Sequence, residues 1–241
     1  MQNRYTGDIG DFGKLGLLRC LHSHGLSIGV NWYLIPDEIH NGDGRHVGYL
    51  EKDGYRECDQ KLWDELKRIV DSGKRAVSSL QKEEILQAAY YSKILDNRSK
   101  TKPERTTLRE EWHKNALEYL RGLDVIFLDP DNGLIVSSAE GTPKANKFVE
   151  PGEVAAYFKQ GSSVVYYQHK ARKKDSFYID QHEHLLAEQG LKRSSGLGLK
   201  FVTTSQRYYF FLIQPQHGDR ISMAVESMLD TPWKAHFCQL D

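Results

Sequence analysis

Five consecutive residues, Asp129-Pro130-Asp131-Asn132-Gly133, place two carboxylates and an amide directly after the apolar run Val125-Ile126-Phe127-Leu128. A carboxylate at the mouth of a buried strand is held rigidly, and Pro130 stiffens the backbone that carries it. Such a loop can hold an exocyclic amine or a metal ion. The same residue types also make an ordinary turn, because Asp, Pro, Asn and Gly each favour turns for a separate reason. A second polar stretch runs from Asp37 and Glu38 through Asn41, Gly42 and Asp43 to Gly44. Its oxygens suit a ribose hydroxyl or a divalent cation, and its glycines permit close backbone approach. As a plain surface loop it would look the same.

A third candidate is Gln168-His169-Lys170, which continues with Arg172, Lys173 and Lys174 as the most basic local run in the chain. It reads either as a contact for phosphates or as a solvated charge cluster. Tyr166 and Tyr167 just before it have the surface to stack on a base, although tyrosines of a buried strand usually serve the core. The opening, Arg4-Tyr5-Thr6-Gly7-Asp8-Ile9-Gly10-Asp11-Phe12-Gly13-Lys14, sets carboxylates and glycines ahead of a helix. Asp11 suits the helix cap. Lys14 sits near the end of the helix where the dipole disfavours a cation, which points to an anionic partner for it.

The ten histidines form no HExxH pair, and His22/His24 and His182/His184 stand two apart, so they read as surface residues. Neither a G-x-S-x-G elbow nor a phosphate-binding G-x-x-x-x-G-K-[ST] loop is present.

These loops need strands and helices to position them. Apolar spacing predicts a helix over 12–22 stopped by Gly25, then a buried strand over 30–35 closed by Pro36. The middle, about 55–120, reads as mainly helical, with helices over 60–71, 82–91 and 108–120 and a short strand over 75–79. Its weakest part is 97–103, a candidate mobile insertion. The run 125–128 has the continuous apolar character of a central parallel strand. A helix over 151–160 with proline in its first turn, a strand over 163–167, and a helix over 177–189 follow. Two last strands, 199–204 and 208–213, predict an antiparallel hairpin at the sheet edge. The order implies a three-layer α/β sandwich with a mostly parallel sheet and a C-terminal hairpin. In such sheets ligands bind beyond the carboxyl ends of the strands, where the three polar loops fall.

At 241 residues the chain is expected to form one domain over 1–241. Its 33 basic and 33 acidic residues cancel, so nucleic-acid binding would need a local patch. Three widely spaced cysteines fit neither a disulfide framework nor a zinc site. No leader-like segment or bilayer-length apolar run is visible, so a cytoplasmic protein without a membrane partner is expected.

Leu128-Asp129-Pro130-Asp131-Asn132 resembles, in strand context, the Asp-Pro-Pro-Tyr tetrad of S-adenosylmethionine-dependent amino-group methyltransferases. The layout is most similar to the bacterial ribosomal RNA adenine-N6 methyltransferase family, whose Gly-Asn-x-x-Asp-x-x-Lys opening resembles Gly7-Asp8-Ile9-Gly10-Asp11-Phe12-Gly13-Lys14. The chain also resembles uncharacterised bacterial proteins sharing this opening, the Asp-Pro-Asp-Asn-Gly loop and a Tyr-Gln-His segment. Asp131 and Asn132 stand where the tetrad has its second proline and its aromatic residue, and the loop over 36–44 is longer and more acidic than the family's glycine-rich one.

The resemblance implies methyl transfer to an RNA or DNA amine. Asp129, Pro130, Asp131 and Asn132 would act on the amine. Asp37, Glu38, Asn41, Gly42, Gly44 and Lys14 would line the cofactor side, and Lys170 and Arg172, with Lys14, would meet phosphate. Two other readings remain open: a Mg²⁺-dependent phosphodiester hydrolase using Asp37, Asp129 and Asp131, and a binding protein on the same fold.

Overall fold

The computed structural model describes residues 1–38, 44–82, 84–191, 195–203 and 205–240. Its regular elements are, in chain order, α1 (Ile9–Ser23), β1 (Ile28–Asn31), α2 (Asp53–Arg56), α3 (Gln60–Asp71), β2 (Ala89–Tyr91), α4 (Lys102–Tyr119), β3 (Val125–Leu128), β4 (Gly133–Leu134), β5 (Phe148–Val149), α5 (Pro151–Lys159), β6 (Ser163–His169), α6 (Asp175–Glu188), β7 (Ser195–Val202), β8 (Gln206–Ile213), α7 (Gly218–Leu229) and β9 (Phe237–Gln239). Local chemistry explains several boundaries. The Asp59 carboxylate accepts from the Leu62 amide to start α3, and reciprocal Thr101/Glu104 and Glu150/Glu153 capping boxes start α4 and α5. Buried Leu62, Trp63, Leu66 and Ile69 give α3 one apolar face.

The main sheet has the order β2-β1-β3-β6-β8-β7-β9. Its first four strands are parallel, and the last three run antiparallel to their neighbours. The chain builds outward from β1 to β2, then returns to lay β3 on the other side of β1. That reversal opens a crevice between the carboxyl ends of β1 and β3.

Alternation along β3 shows how the three layers form. Val125 and Phe127 enter one core with α1, α3 and α7, whereas Ile126 and Leu128 enter a second core with α4, α5 and α6. At roughly 25 cal/mol per Å² of apolar surface, the aromatic and aliphatic side chains of these two cores supply the main force that holds the layers together.

Several local expectations are corrected. Regular strand structure ends at Asn31, because Tyr33 takes a left-handed φ of 45° and sends its ring into the second core. The expected helix over 82–91 is β2 at its end, where Tyr90 and Tyr91 pair with β1. The expected strand over 75–79 is a single 3₁₀ turn, Val77–Ser79, anchored by the Val77 amide on the Asn3 side chain. The segment 97–103 is tied down, since the Asn97 side chain donates to the Pro143 carbonyl and Lys102 begins α4. The hairpin is not at the edge: β8 lies between β6 and β7, and β9 covers the far side of β7. Among the described residues no helix is long and apolar enough to cross a membrane.

Candidate functional site

The opening segment and the Asp129 loop meet. Asp8, not Asp11, caps α1, accepting from the amides of Gly10 and Asp11 through one carboxylate oxygen. This leaves Asp11 inside the first turn, fully buried, with its Oδ2 accepting from the Gly7 amide at 2.7 Å. One turn on, the Lys14 ammonium reaches the Asp11 Oδ1 at 3.0 Å and the Asp129 Oδ2 at 2.6 Å. The anionic partner anticipated for Lys14 is therefore within the chain. Burial opposes the lysine charge, but Asp129 and Asp11 outweigh it and hold the ammonium's pKa above its ordinary value. Burial pushes the Asp11 carboxyl up to about 6, against the pull of Lys14 and with the push of Asp8 and Asp129.

The rest of the loop is braced from two sides. The Asp131 carboxylate takes the Met1 amine at 2.6 Å and the Gln2 amide nitrogen at 2.7 Å. Burial works against its charge, but the amine holds its pKa below the ordinary value. The same amine donates to the carbonyls of Tyr33 and Asp129, each at 3.1 Å, and the Ile35 amide returns a bond to the Met1 carbonyl. Residue 1 thus spans the crevice between the segments that follow β1 and β3. From the other side, the Gln168 side chain accepts from the Leu134 amide and donates to the Asn132 carbonyl, while the His169 amide also donates to that carbonyl. Gly133 has φ 109°, and a Cβ there would collide with the Gln168 amide.

These contacts border an open cavity of about 240 Å³ beyond the strand ends, lined by Lys14, Asp129, Pro130, Asp131, Asn132 and Gly44, among others. Asn132 is half-buried, and its side chain makes no hydrogen bond within the described residues. Five residues that sequence reasoning did not select also face the cavity: Met1, His46, Lys147, Ser205 and Arg207. Arg207 had a legible signal, a lone guanidinium at the head of the apolar run 208–213.

Other sequence candidates go elsewhere. Asp37 accepts from the Arg4 amide at 3.2 Å, and Glu38 pairs with Lys147 at 2.5 Å, so neither lines the cavity. Asn41 and Gly42 lie outside the described residues. Lys170 is bound to Asp175 at 2.6 Å, and Arg172 is exposed away from the cavity. The described residues contain no group of three His, Cys, Asp or Glu side chains placed to hold a metal ion, so Asp37, Asp129 and Asp131 do not form the Mg²⁺ site that the hydrolase reading needs. Asp129 and Asp131 are already engaged by Lys14, and by the Met1 amine and Gln2. His182 is not a surface residue: it is buried, meets the Tyr166 hydroxyl at 2.9 Å, and burial lowers its pKa to about 4.

Asp8, Asp11 and Asp129 all act on the single Lys14 ammonium, and burial leaves Asp11 hard to ionise. The cavity lining as a whole is balanced in charge, with Asp8, Asp11, Asp129 and Asp131 set among the Met1 amine, Lys14, Lys147 and Arg207.

Among known proteins, no family model and no curated sequence matches the chain. A solved structure, protein LPL1258 from Legionella pneumophila str. Philadelphia 1, of the family described as DUF519, aligns over 97% of this chain and 96% of its own with 10% identity and a TM-score of 0.46.

Proposed function

We propose that this chain is an S-adenosylmethionine-dependent methyltransferase acting on an amino group of a nucleic acid. One observation carries the reading. The glycine-rich opening and the Asp129–Asn132 loop, linked beforehand only by resemblance, converge through the Lys14–Asp129 contact at the carboxyl ends of the parallel strands.

When bound, the cofactor would supply an electrophilic methyl group. The chain's part is to present a nitrogen to it. Asn132 and the Pro130 carbonyl would accept and orient the amine hydrogens, with Asp129 fixed in place by Lys14 as an orienting group rather than as a base. Tyr5 offers the aromatic surface that position 132 lacks for an unstacked base. Acceleration would come mainly from alignment, since a well-oriented pair gains up to roughly 7–11 kcal/mol over encounter in solution.

Calorimetric titration with S-adenosylmethionine and S-adenosylhomocysteine, followed by transfer of labelled methyl to RNA and DNA, tests the reading. Saturable binding with label recovered in a base amine supports it; absence of binding by a folded protein removes it.

A second reading, a binding protein without catalysis, draws on one fact: Asp129 and Asp131 both already have partners within the chain. Nucleic-acid binding that survives Asn132→Ala, with no methyl transfer from wild type, would favour it.

A further inference from the structure

Arg207 opens β8 opposite His169 of β6. It is 5% exposed, lines the cavity, and its Nη1 has no hydrogen-bond partner. Among the described residues no carboxylate lies within the 4.0 Å of an ion pair; Asp8 acts on it only from farther away, and Tyr167 and Tyr209 flank it. This sets it apart from Lys14 and from the partly buried Arg109. Lys14 has Asp11 and Asp129, and Arg109 has Glu150 and Glu153.

A buried guanidinium without a close counter-charge is costly, because several kcal/mol of hydration are lost, and here only Tyr167, Tyr209 and the more distant Asp8 offset them. The cost is recovered when an anion enters. A second donor points to the same place: two residues earlier, the buried Ser205 Oγ also lines the cavity without a partner. Gly10 leaves room beneath, for a Cβ there would stand 3.0 Å from the Arg207 Nε. Guanidinium and hydroxyl together are the donor set of an oxyanion site, and a planar guanidinium matches phosphate in particular.

We propose that Arg207 and Ser205 form a phosphate subsite, which holds the nucleotide phosphate beside the base whose amine faces Asn132. The assignment rests on the nucleic-acid reading above, and replaces Lys170 and Arg172 as the phosphate contacts. It also explains how a chain with balanced charge, 33 basic and 33 acidic residues, engages a polyanion: through one buried site instead of a basic surface.

The test is calorimetric titration of the full chain with adenosine 5′-monophosphate, adenosine, inorganic phosphate and S-adenosylmethionine, repeated on Ser205→Ala, Arg207→Lys and Arg207→Gln. Wild type should bind the monophosphate at least tenfold more tightly than adenosine, and inorganic phosphate should compete with it. Ser205→Ala and Arg207→Lys should narrow the difference severalfold, and Arg207→Gln should abolish it. No preference for the monophosphate in wild type overturns the proposal, and needs no variant to fold. Loss of S-adenosylmethionine affinity in Arg207→Gln with unchanged monophosphate affinity also overturns it, by moving the guanidinium to the cofactor's carboxylate. Arg207-dependent monophosphate binding without any S-adenosylmethionine binding would sink the methyltransferase reading alone and leave the subsite standing.

Discussion

The Lys14 Nζ lies 2.6 Å from the Asp129 Oδ2 although the two residues are 115 positions apart in sequence. The contact locks the start of α1 onto the end of β3. Both side chains are almost fully buried, at 5% and 3% exposure, so neither charge has water to fall back on. Breaking such a pair from one side is expensive.

Lys14→Met should therefore destabilise the fold by about 3–5 kcal/mol, because Asp129 and Asp11 are left buried without a counter-ion. Removing Asp129 as well, in Lys14→Met/Asp129→Asn, should cost less than the sum of the single changes. Urea denaturation of the four proteins in the cycle measures the coupling; additive effects would mean that the contact does not carry stability.

Asp11 makes a pH prediction whose sign is set by its raised pKa. The folded carboxyl holds its proton up to about 6, above the ordinary 3.8, so the native state binds more protons in that window. Its contribution is fully present below the unfolded value and is lost as pH rises through about 6. Asp11→Asn keeps an oxygen for the Gly7 amide and removes the titration. Stability of this variant should fall less, or rise more, than wild type between pH 4 and 6.

His182 acts in the opposite direction over an overlapping window. Burial lowers its pKa to about 4 from 6.5, so the unfolded chain takes up the proton first and stability is lost as pH falls below 6.5. His182→Gln should remove that loss. Proton NMR of wild type should show one imidazole still neutral at pH 5; a histidine set titrating entirely near 6.5 would contradict the burial argument.

Gly133→Ala tests the brace beneath the loop. The added carbon must adopt φ 109° and displace the Gln168 amide. A loss on the order of 2 kcal/mol is expected from the backbone strain and the disturbed hydrogen bonds. Thermal unfolding reads the stability, and any ligand of the cavity should bind more weakly, because Asn132 shares the strained turn.

Asn132→Ala separates chemistry from folding. Its side chain makes no hydrogen bond within the described residues, so stability should stay within about 0.5 kcal/mol of wild type, while methyl transfer or amine binding falls tenfold or more. Equal losses of stability and activity would instead give Asn132 a structural task.

Much of this architecture is legible from residue order. The continuous apolar run 125–128 announces a central strand covered on both faces, and the structure places its residues alternately in two cores. The 3.6-residue spacing of 60–71 marks α3 with the same bounds. Short-range rules do less well where partners are remote. Nothing local tells Tyr33 to turn to a positive φ, since its reason lies in Glu153, whose carboxylate accepts from its hydroxyl at 3.1 Å. The spacing of Ile221, Ala224, Val225 and Met228 is helical, and these side chains form the buried face of α7.

The sequence by itself determined the layers, the central strand and the chemical types gathered on its following loop, because periodicity and turn preferences act over a few residues. Which charges meet was decided only by the tertiary structure. Lys14 went to Asp129 and Asp131 to the Met1 amine, whereas Lys170 went to Asp175 and Arg207 was left, among the described residues, with no carboxylate in ion-pair contact. Pairing among buried charges depends on distances of a few ångströms between segments far apart in the chain, where burial removes the screening of water, and no local pattern encodes those distances.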